Sequence, residues 1–223
     1  PILDLTLMRV ASFRVSVWAG AVFRIGTGAI PFLLPMMLQI GFGMTAFESG
    51  LLTFTAAVGA ITMKMAAAPI LRRWGFRQVL LINALRSGVQ MAAIGVFTAA
   101  TPAAVIVSVL LIGGFFRSLQ FTSLNTLAYA DIPHERMPRA TALASVVGQL
   151  SLSAGVAVAA LFLDLSRGLE SRSELAAVDF SRAVVGVALI SSLAVLWLWR
   201  LSADAGAAVS GHHAHPQEEE PGP

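Results

Sequence analysis

Six stretches of the sequence are apolar enough and long enough to cross a lipid bilayer. They cover about residues 15–39, 50–68, 78–99, 103–130, 140–163 and 183–201. A helix needs about 20 apolar residues to cross the hydrocarbon core, where every backbone polar group has to be satisfied within the protein. The sequence therefore predicts an all-α fold, an integral membrane bundle of six helices.

Composition excludes several other classes of protein. Hydrophobic residues make up 57% of the chain and charged residues 12%, which is too little charge for a soluble domain of this length. The net charge of +3 does not suggest a nucleic-acid partner. With no Cys, no HExxH pattern and no phosphate-binding Gly loop, the sequence predicts no enzyme, no cofactor and no metal site.

The regions outside the spans are polar. Residues 1–14 are expected to be a cytoplasmic lead-in to the bundle of residues 15–201, and residues 202–223 a disordered cytoplasmic tail. Residues 164–182 are expected to form a loop with a short interfacial helix. Because the chain starts with Pro and not with Met, we expect it to be a piece of a longer protein or a trimmed chain.

The distribution of Lys and Arg predicts the orientation in the membrane. With the N-terminus in the cytoplasm, nine of these residues fall on the cytoplasmic side and three, Arg167, Arg172 and Arg182, on the outer side. This asymmetry satisfies the positive-inside rule. We therefore expect a multi-pass protein of the cytoplasmic (inner) membrane with both termini in the cytoplasm.

Arg24, Arg86 and Arg117 lie well inside their predicted spans. An Arg at the bilayer centre costs about 2.5–3.5 kcal/mol on insertion scales, and the six spans contain no Asp or Glu. Each Arg either ties helices together or faces a water-filled cavity. Arg24 lies in the first span and Arg117 in the fourth. These are the first spans of the two triplets, so a 3+3 inverted repeat would place an Arg in both.

Other polar residues recur at helical spacing. Thr122 and Asn125 share a face of the fourth span, and Gln149 lies on a polar face of the fifth. Such faces either hydrogen-bond neighbouring helices or line a cavity. Gln120 is predicted to hold the Arg117 guanidinium or a substrate.

Pro31 and Pro35 interrupt the hydrogen bonds of the first span. The resulting kink is either a fixed packing feature or a bending gate. Both prolines are candidate gating residues.

Three stretches, residues 31–43, 114–131 and 139–149, resemble the second six-helix half of major facilitator superfamily transporters. More specifically, the chain resembles the fourteen-helix drug:proton antiporters of the EmrB/QacA type, over residues 4–201. The loop between the second and third spans is similar to the superfamily's Gly-x-x-x-Asp-Arg-x-Gly-Arg motif. It keeps Arg73 and Gly75, with Arg77 as a further basic anchor, and departs from the motif at Ala68, Arg72 and Phe76.

The resemblance implies proton-coupled efflux of small amphipathic compounds. It also implies that the first and fourth spans line the central cavity and that a missing N-terminal half supplies the proton-binding acid. The expected partners are therefore the lipid bilayer, a small-molecule substrate, protons and that N-terminal half. Two alternatives stay open: a major facilitator transporter of another substrate class, such as a sugar or siderophore, and a non-transporting membrane sensor or scaffold.

Overall fold

The computed structural model describes residues 4–170, 174–202 and 205–210. This part of the chain is helical, with no strand. The helices are α1 (Ala11–Met36), α2 (Ala46–Ile94), α3 (Ala103–Tyr129), α4 (Met137–Leu169), α5 (Ala177–Ser192), α6 (Ala194–Leu198) and α7 (Ala207–Ser210). Short 3-10 helices cover Leu5–Arg9 and His134–Arg136, and a π-helical turn, Met37–Gly41, extends α1.

Five continuous helical stretches of the described chain are long and apolar enough to cross a membrane. They are Ala11–Gly41, Ala46–Ile94, Ala103–Tyr129, His134–Leu169 and Ala177–Leu198. The prediction of an all-helical membrane chain is confirmed. The count differs from six because α2 covers both the second and the third predicted spans.

A single glycine interrupts α2. Gly75 has φ 69° and ψ 165°, which is far from helical geometry. A straight helix of the 49 residues in α2 would be roughly 74 Å long, more than twice the thickness of the hydrocarbon core. We call residues 46–74 α2a and residues 76–94 α2b.

The two parts of α2 run in opposite directions along α3. In α2a, Ala56 lies against Gly114, and the Ala60 carbonyl accepts a hydrogen bond from Ser118 at 3.2 Å. Residue numbers increase in the same direction in both helices, so α2a runs parallel to α3.

In α2b the order is reversed. The Leu80 carbonyl accepts a hydrogen bond from Gln120 at 3.4 Å, and Gln90 donates to the Val109 carbonyl at 3.2 Å. The chain therefore turns back at Gly75.

The start of α2 is fixed by a capping box. The backbone N–H of Glu48 donates to Thr45 Oγ1 at 3.2 Å, and the backbone N–H of Thr45 donates to the Glu48 carboxylate at 2.8 Å. These bonds satisfy two N–H groups that a helix start leaves without partners.

Paired glycines bring α1 into backbone contact with α4. A Cβ added at Gly28 would collide with the Leu152 carbonyl oxygen, and one added at Gly155 with the Ile25 carbonyl oxygen. Small residues are the usual means by which membrane helices approach closely.

The same reciprocal contact joins α2a to α3. A Cβ at Gly114 would collide with the Ala56 carbonyl oxygen, and one at Gly59 with the Leu111 carbonyl oxygen. In all four cases the carbonyl belongs to the residue three positions before the opposing glycine. The two crossings therefore share one geometry.

The ends of the last two long helices differ from the sequence prediction. α4 continues to Leu169, through residues predicted as loop, and α5 begins at Ala177 instead of residue 183. The helices extend because Asp179, wholly buried, accepts a hydrogen bond from Ser166 at 2.6 Å and caps α5 through the Ala176 N–H at 2.8 Å. No separate interfacial helix lies between α4 and α5 among the residues described there.

The last predicted span is divided, since α5 ends at Ser192 and α6 follows from Ala194. In the predicted disordered tail, α7 forms one helical turn, and the preceding Gly206 packs against Phe76 and Leu127. Residues 203–204 and 211–223 of the predicted tail lie outside the described residues.

The predicted lead-in is tied to the turn between α3 and α4. Arg136 donates to the Asp4 carboxylate at 2.8 Å, and Leu7 is wholly buried. Hydrogen bonds from Thr6 and then from Arg136 lower the pKa of Asp4 to about 2. The carboxylate therefore stays charged throughout the physiological pH range, and this contact does not titrate there.

We predict that Gly75→Ala destabilises the protein, because an L side chain is strained at this positive φ. Residues forced into such sparsely populated regions cost about 1–3 kcal/mol. The measurement is the thermal unfolding midpoint of the purified full-length protein in detergent. Gly50→Ala is the matched control, since it lies in the same helix and a Cβ there meets nothing within 4 Å. Equal midpoints for the two variants would contradict the prediction.

Candidate functional site

A cavity of about 210 Å³ lies between α1, both parts of α2 and α3. Its walls are largely apolar, with Phe23, Ile30, Leu34, Met91, Ile94 and Leu110 among the lining side chains. The polar side chains that line it are Thr27, Thr53, Ser87, Gln90 and Arg117. We call this space the Arg117 cavity.

Arg117 is the fifteenth of the 27 residues of α3, so it lies next to the midpoint of the helix. Its side chain is partly buried, and no hydrogen bond or ion pair joins it to the described residues. No Asp or Glu lines the cavity. The guanidinium keeps its charge in a protein, so its five N–H donors are available to a group that enters this space.

Pro31 and Pro35 line the same cavity. Because Pro has no N–H, each removes the intrahelical bond to the carbonyl four residues earlier, those of Thr27 and Pro31. α1 nevertheless continues to Met36, followed by the π-helical turn Met37–Gly41. The cavity wall therefore combines a cationic donor on α3 with the stretch of α1 in which the two prolines remove helical hydrogen bonds. Whether the prolines act as a gate stays a prediction.

Arg24 is held by its neighbours and does not line the Arg117 cavity. It donates to Asn125 at 3.1 Å, and its guanidinium lies over the Phe121 ring, 5.2 Å from the centroid. Its side chain runs beside Gly20 and Gly148, where a Cβ would meet it. The contacts tie α1 to α3, with α4 alongside.

Gln120 bonds to residues of α2b and not to Arg117, contrary to the prediction that it holds that guanidinium. It is wholly buried, accepts a hydrogen bond from Asn83 at 2.9 Å and donates to the Leu80 carbonyl at 3.4 Å. Asn83 also donates to the Phe116 carbonyl at 2.7 Å. Gln120 therefore joins α3 to α2b through these hydrogen bonds.

The other polar candidates are spread over the bundle. Thr122 is partly buried, and its carbonyl accepts a hydrogen bond from Thr126 at 2.9 Å; Asn125 is exposed and holds Arg24. Gln149 is exposed on α4. Neither Thr122 nor Gln149 lines the Arg117 cavity.

The loop-motif residues surround the reversal in α2. Arg73 is exposed, with its guanidinium 5.8 Å from the Trp74 ring centroid, and Gly75 is the buried turn itself. Arg77 is partly buried, and its Nε has no hydrogen-bond partner among the described residues. The three residues are neighbours in sequence and space, and they lie apart from the Arg117 cavity.

Several residues of the site were not among the predicted candidates. Thr27 follows Arg24 by three residues and Thr53 follows Ser49 by four, so helical spacing is a signal that could have marked both. Ser87 and Gln90 share a polar face of α2b with Asn83, but their spacing does not reveal which of them faces the cavity. Within the described residues, no group of three or more His, Cys, Asp or Glu is placed to hold a metal ion.

We predict that Gln120→Leu lowers stability by about 1–3 kcal/mol, because it leaves one of the two N–H donors of the buried Asn83 amide without a partner, while the other still bonds to the Phe116 carbonyl. The unfolding midpoint of the full-length protein measures this loss. The double variant Asn83→Leu/Gln120→Leu should recover part of it, since both polar groups are then removed. If the double variant lost as much stability as the two single variants added together, the Asn83–Gln120 hydrogen bond would not contribute to stability as predicted.

Comparison with known proteins places the chain in a family. The profile of the Major Facilitator Superfamily matches residues 13–218. The chain is 32% identical over 201 residues to the probable transport protein HsrA of Haemophilus influenzae, covering 90% of the chain and 42% of that protein.

It is also 34% identical over 164 residues to the putative multidrug resistance protein MdtD of Escherichia coli O6:H1, covering 73% of the chain and 34% of that protein. MdtD of Enterobacter sp. (strain 638) gives 34% over 165 residues. The chain thus spans between a third and about two fifths of the length of these relatives. Because the profile covers nearly the whole sequence, the chain belongs to the Major Facilitator Superfamily.

Proposed function

We propose that this chain is the C-terminal six-span half of a proton-coupled exporter of small amphipathic compounds, of the EmrB/QacA type. The observation that carries the proposal is Arg117, a cation at the middle of a span, partly buried beside a cavity and without a partner among the described residues. A charge in such a position is expensive unless it serves a ligand or a second charged group. The names of the relatives, a probable transport protein and a putative multidrug resistance protein, point the same way.

Six crossings are supported by the reversal of α2. Because α2a and α2b run in opposite directions along α3, they count as two spans, which together with α1, α3, α4 and α5–α6 make six. An even number returns the chain to the side on which it started.

The two glycine crossings support a 3+3 inverted repeat. In such a repeat the first span is equivalent to the fourth and the fifth to the second. Gly28 of α1 with Gly155 of α4 then corresponds to Gly114 of α3 with Gly59 of α2a. The collisions at all four glycines follow this correspondence.

This register corrects the sequence argument for the repeat. Arg24 comes four residues before Gly28, whereas Arg117 comes three residues after Gly114, so the two arginines are not equivalent positions. The equivalent of Arg117 in α1 is Pro31. The repeat is therefore better supported by the glycines than by the arginines.

Proton coupling requires a group that titrates, and the Arg117 cavity contains none. Arg does not deprotonate in proteins, and no Asp or Glu lines the cavity. The proton-binding acid is therefore assigned to the part of the transporter outside this chain, the N-terminal half. Rocking of the two halves around a mid-membrane site would then alternate access.

We predict that Arg117→Ala in the full-length protein strongly reduces efflux while abundance in the membrane stays near normal. The measurement is accumulation, in expressing cells, of a panel of anionic, cationic and neutral fluorescent amphiphiles. Arg117→Lys should recover only part of the activity, because a point charge does not replace the planar fork of donors.

Arg9→Ala is the matched control for Arg117→Ala, since Arg9 is exposed and lies outside the spans. It should export as the unchanged protein does. Wild-type efflux in Arg117→Ala would contradict a role in the cavity, and a loss of abundance equal to the loss of efflux would indicate a structural role.

We predict that both termini lie in the cytoplasm, as the distribution of Arg and Lys indicates. Because this chain contains no Cys, single cysteines can be labelled selectively once any cysteines outside this chain are replaced. Thr98→Cys, in the exposed turn before α3, should react with a membrane-impermeant maleimide added to intact cells. Ser202→Cys should react only after permeabilisation, and the reverse pattern would refute this orientation.

A further inference from the structure

Two grooves lie side by side on the surface of the bundle, along the seam between α2b and α3. The first, about 300 Å³, is lined mainly by apolar side chains and includes Trp74, so we call it the Trp74 groove. The second, about 380 Å³, includes Val89, and we call it the Val89 groove. Arg86 and Phe116 belong to both grooves and form the boundary between them.

Arg86 is a second cation near the middle of a span, and its surroundings differ from those of Arg117. Its side chain is exposed, and its guanidinium lies over the Phe116 ring at 5.2 Å from the centroid. No Asp or Glu lines either groove. The ring accepts one face of the guanidinium, and no hydrogen bond or ion pair joins Arg86 to the described residues.

We propose that this seam is a membrane-facing site for an anionic amphiphile with a hydrocarbon tail, such as a long-chain fatty acid. Arg86 binds the anionic head group, and the apolar groove on either side holds the tail. The charge of the site selects the ligand: a carboxylate matches the planar fork of the guanidinium, whereas a cationic amphiphile is repelled. A neutral lipid fills the grooves without an ion pair.

One side chain is shared by the seam and the Arg117 cavity. Gln90 lines both the Val89 groove and the cavity. It is held by a hydrogen bond from its Nε2 to the Val109 carbonyl, 3.2 Å long, and lies flat against Gly113, where a Cβ would collide with it. Rotation of this amide would open a path from the bilayer to Arg117.

The path from the seam to the Arg117 cavity extends the proposed function, and its role in export rests on that function. Along this path an anionic ligand would pass from Arg86 in the groove to Arg117 in the cavity without meeting an acidic side chain. Binding at Arg86 can be measured without any transport, so a failed site and a failed transporter give different results.

The binding test uses tryptophan fluorescence. In the full-length protein, every tryptophan except Trp74 is replaced by Phe, and the protein is placed in nanodiscs of neutral phospholipid. A fatty acid brominated along its chain quenches tryptophan on contact. We expect saturable quenching of Trp74 by the fatty acid, and Arg86→Ala should weaken the apparent affinity by about tenfold or more, as loss of a charged hydrogen bond does.

Two probes and one variant complete this test. A brominated alkyl-trimethylammonium should not quench saturably, and Leu189→Ala, an exposed apolar position on α5, should leave the affinity for the fatty acid unchanged. Equal quenching by brominated phosphatidylcholine with no effect of Arg86→Ala would mean that the grooves hold bulk lipid. Absence of quenching would mean that another part of the transporter covers the seam. Either result overturns the proposal.

The path through Gln90 is tested by cysteine labelling. Ser87 is buried and lines the Arg117 cavity, so Ser87→Cys is a nearly isosteric reporter inside it. With other cysteines replaced, a maleimide dissolved in the bilayer should label this cysteine several times faster when Gln90→Ala is also present. Leu189→Ala in place of Gln90→Ala should leave the rate unchanged. An unchanged rate with Gln90→Ala would refute the path through Gln90.

Discussion

The structure depends on how closely its helices can approach at the two glycine crossings. In lipid there is little hydrophobic drive for helices to associate, so close packing and hydrogen bonds have to hold the bundle together. Gly28 with Gly155 and Gly59 with Gly114 bring backbone against backbone, because a Cβ at any of them would strike a carbonyl oxygen. These contacts fix α4 on α1 and α2a on α3, and the other elements pack around the two pairs.

The position of the Arg117 cavity follows from two adjacent glycines on α3. Gly114 receives the backbone of α2a, while Gly113 receives the Gln90 side chain from α2b. Arg117 comes one turn later, between the two parts of α2 and opposite Thr27 and Pro31 of α1. Where the helices no longer touch through glycine, space remains, and a side chain as long as Arg occupies only part of it.

The sequence located the apolar spans and the turn at Gly75, because both depend on local composition and backbone geometry. It was less successful with single polar residues. Helical spacing shows that Thr122 and Asn125 share a face and that Gln120 lies one turn from Arg117, but it does not show which helix each side chain meets. Gln120 therefore joins α2b instead of Arg117. The ends of α4 and α5 were missed for a similar reason, since a hydrogen bond from Ser166 to the buried Asp179 stabilises helix where composition indicates loop.

Arg24 and Arg117 show that a buried charge acquires its role from its partners. Both belong to apolar helices and both carry a permanent charge. Arg24 is satisfied by the Asn125 amide and the Phe121 ring, so it contributes to the packing of α1 on α3. Arg117 has no such partner among the described residues, and its field therefore extends into the cavity. A fixed field of this kind attracts an anion or lowers the pKa of a nearby acid, but it does not carry a proton itself. In the proposed proton-driven cycle, the titrating group would thus lie opposite Arg117, in the proposed N-terminal half.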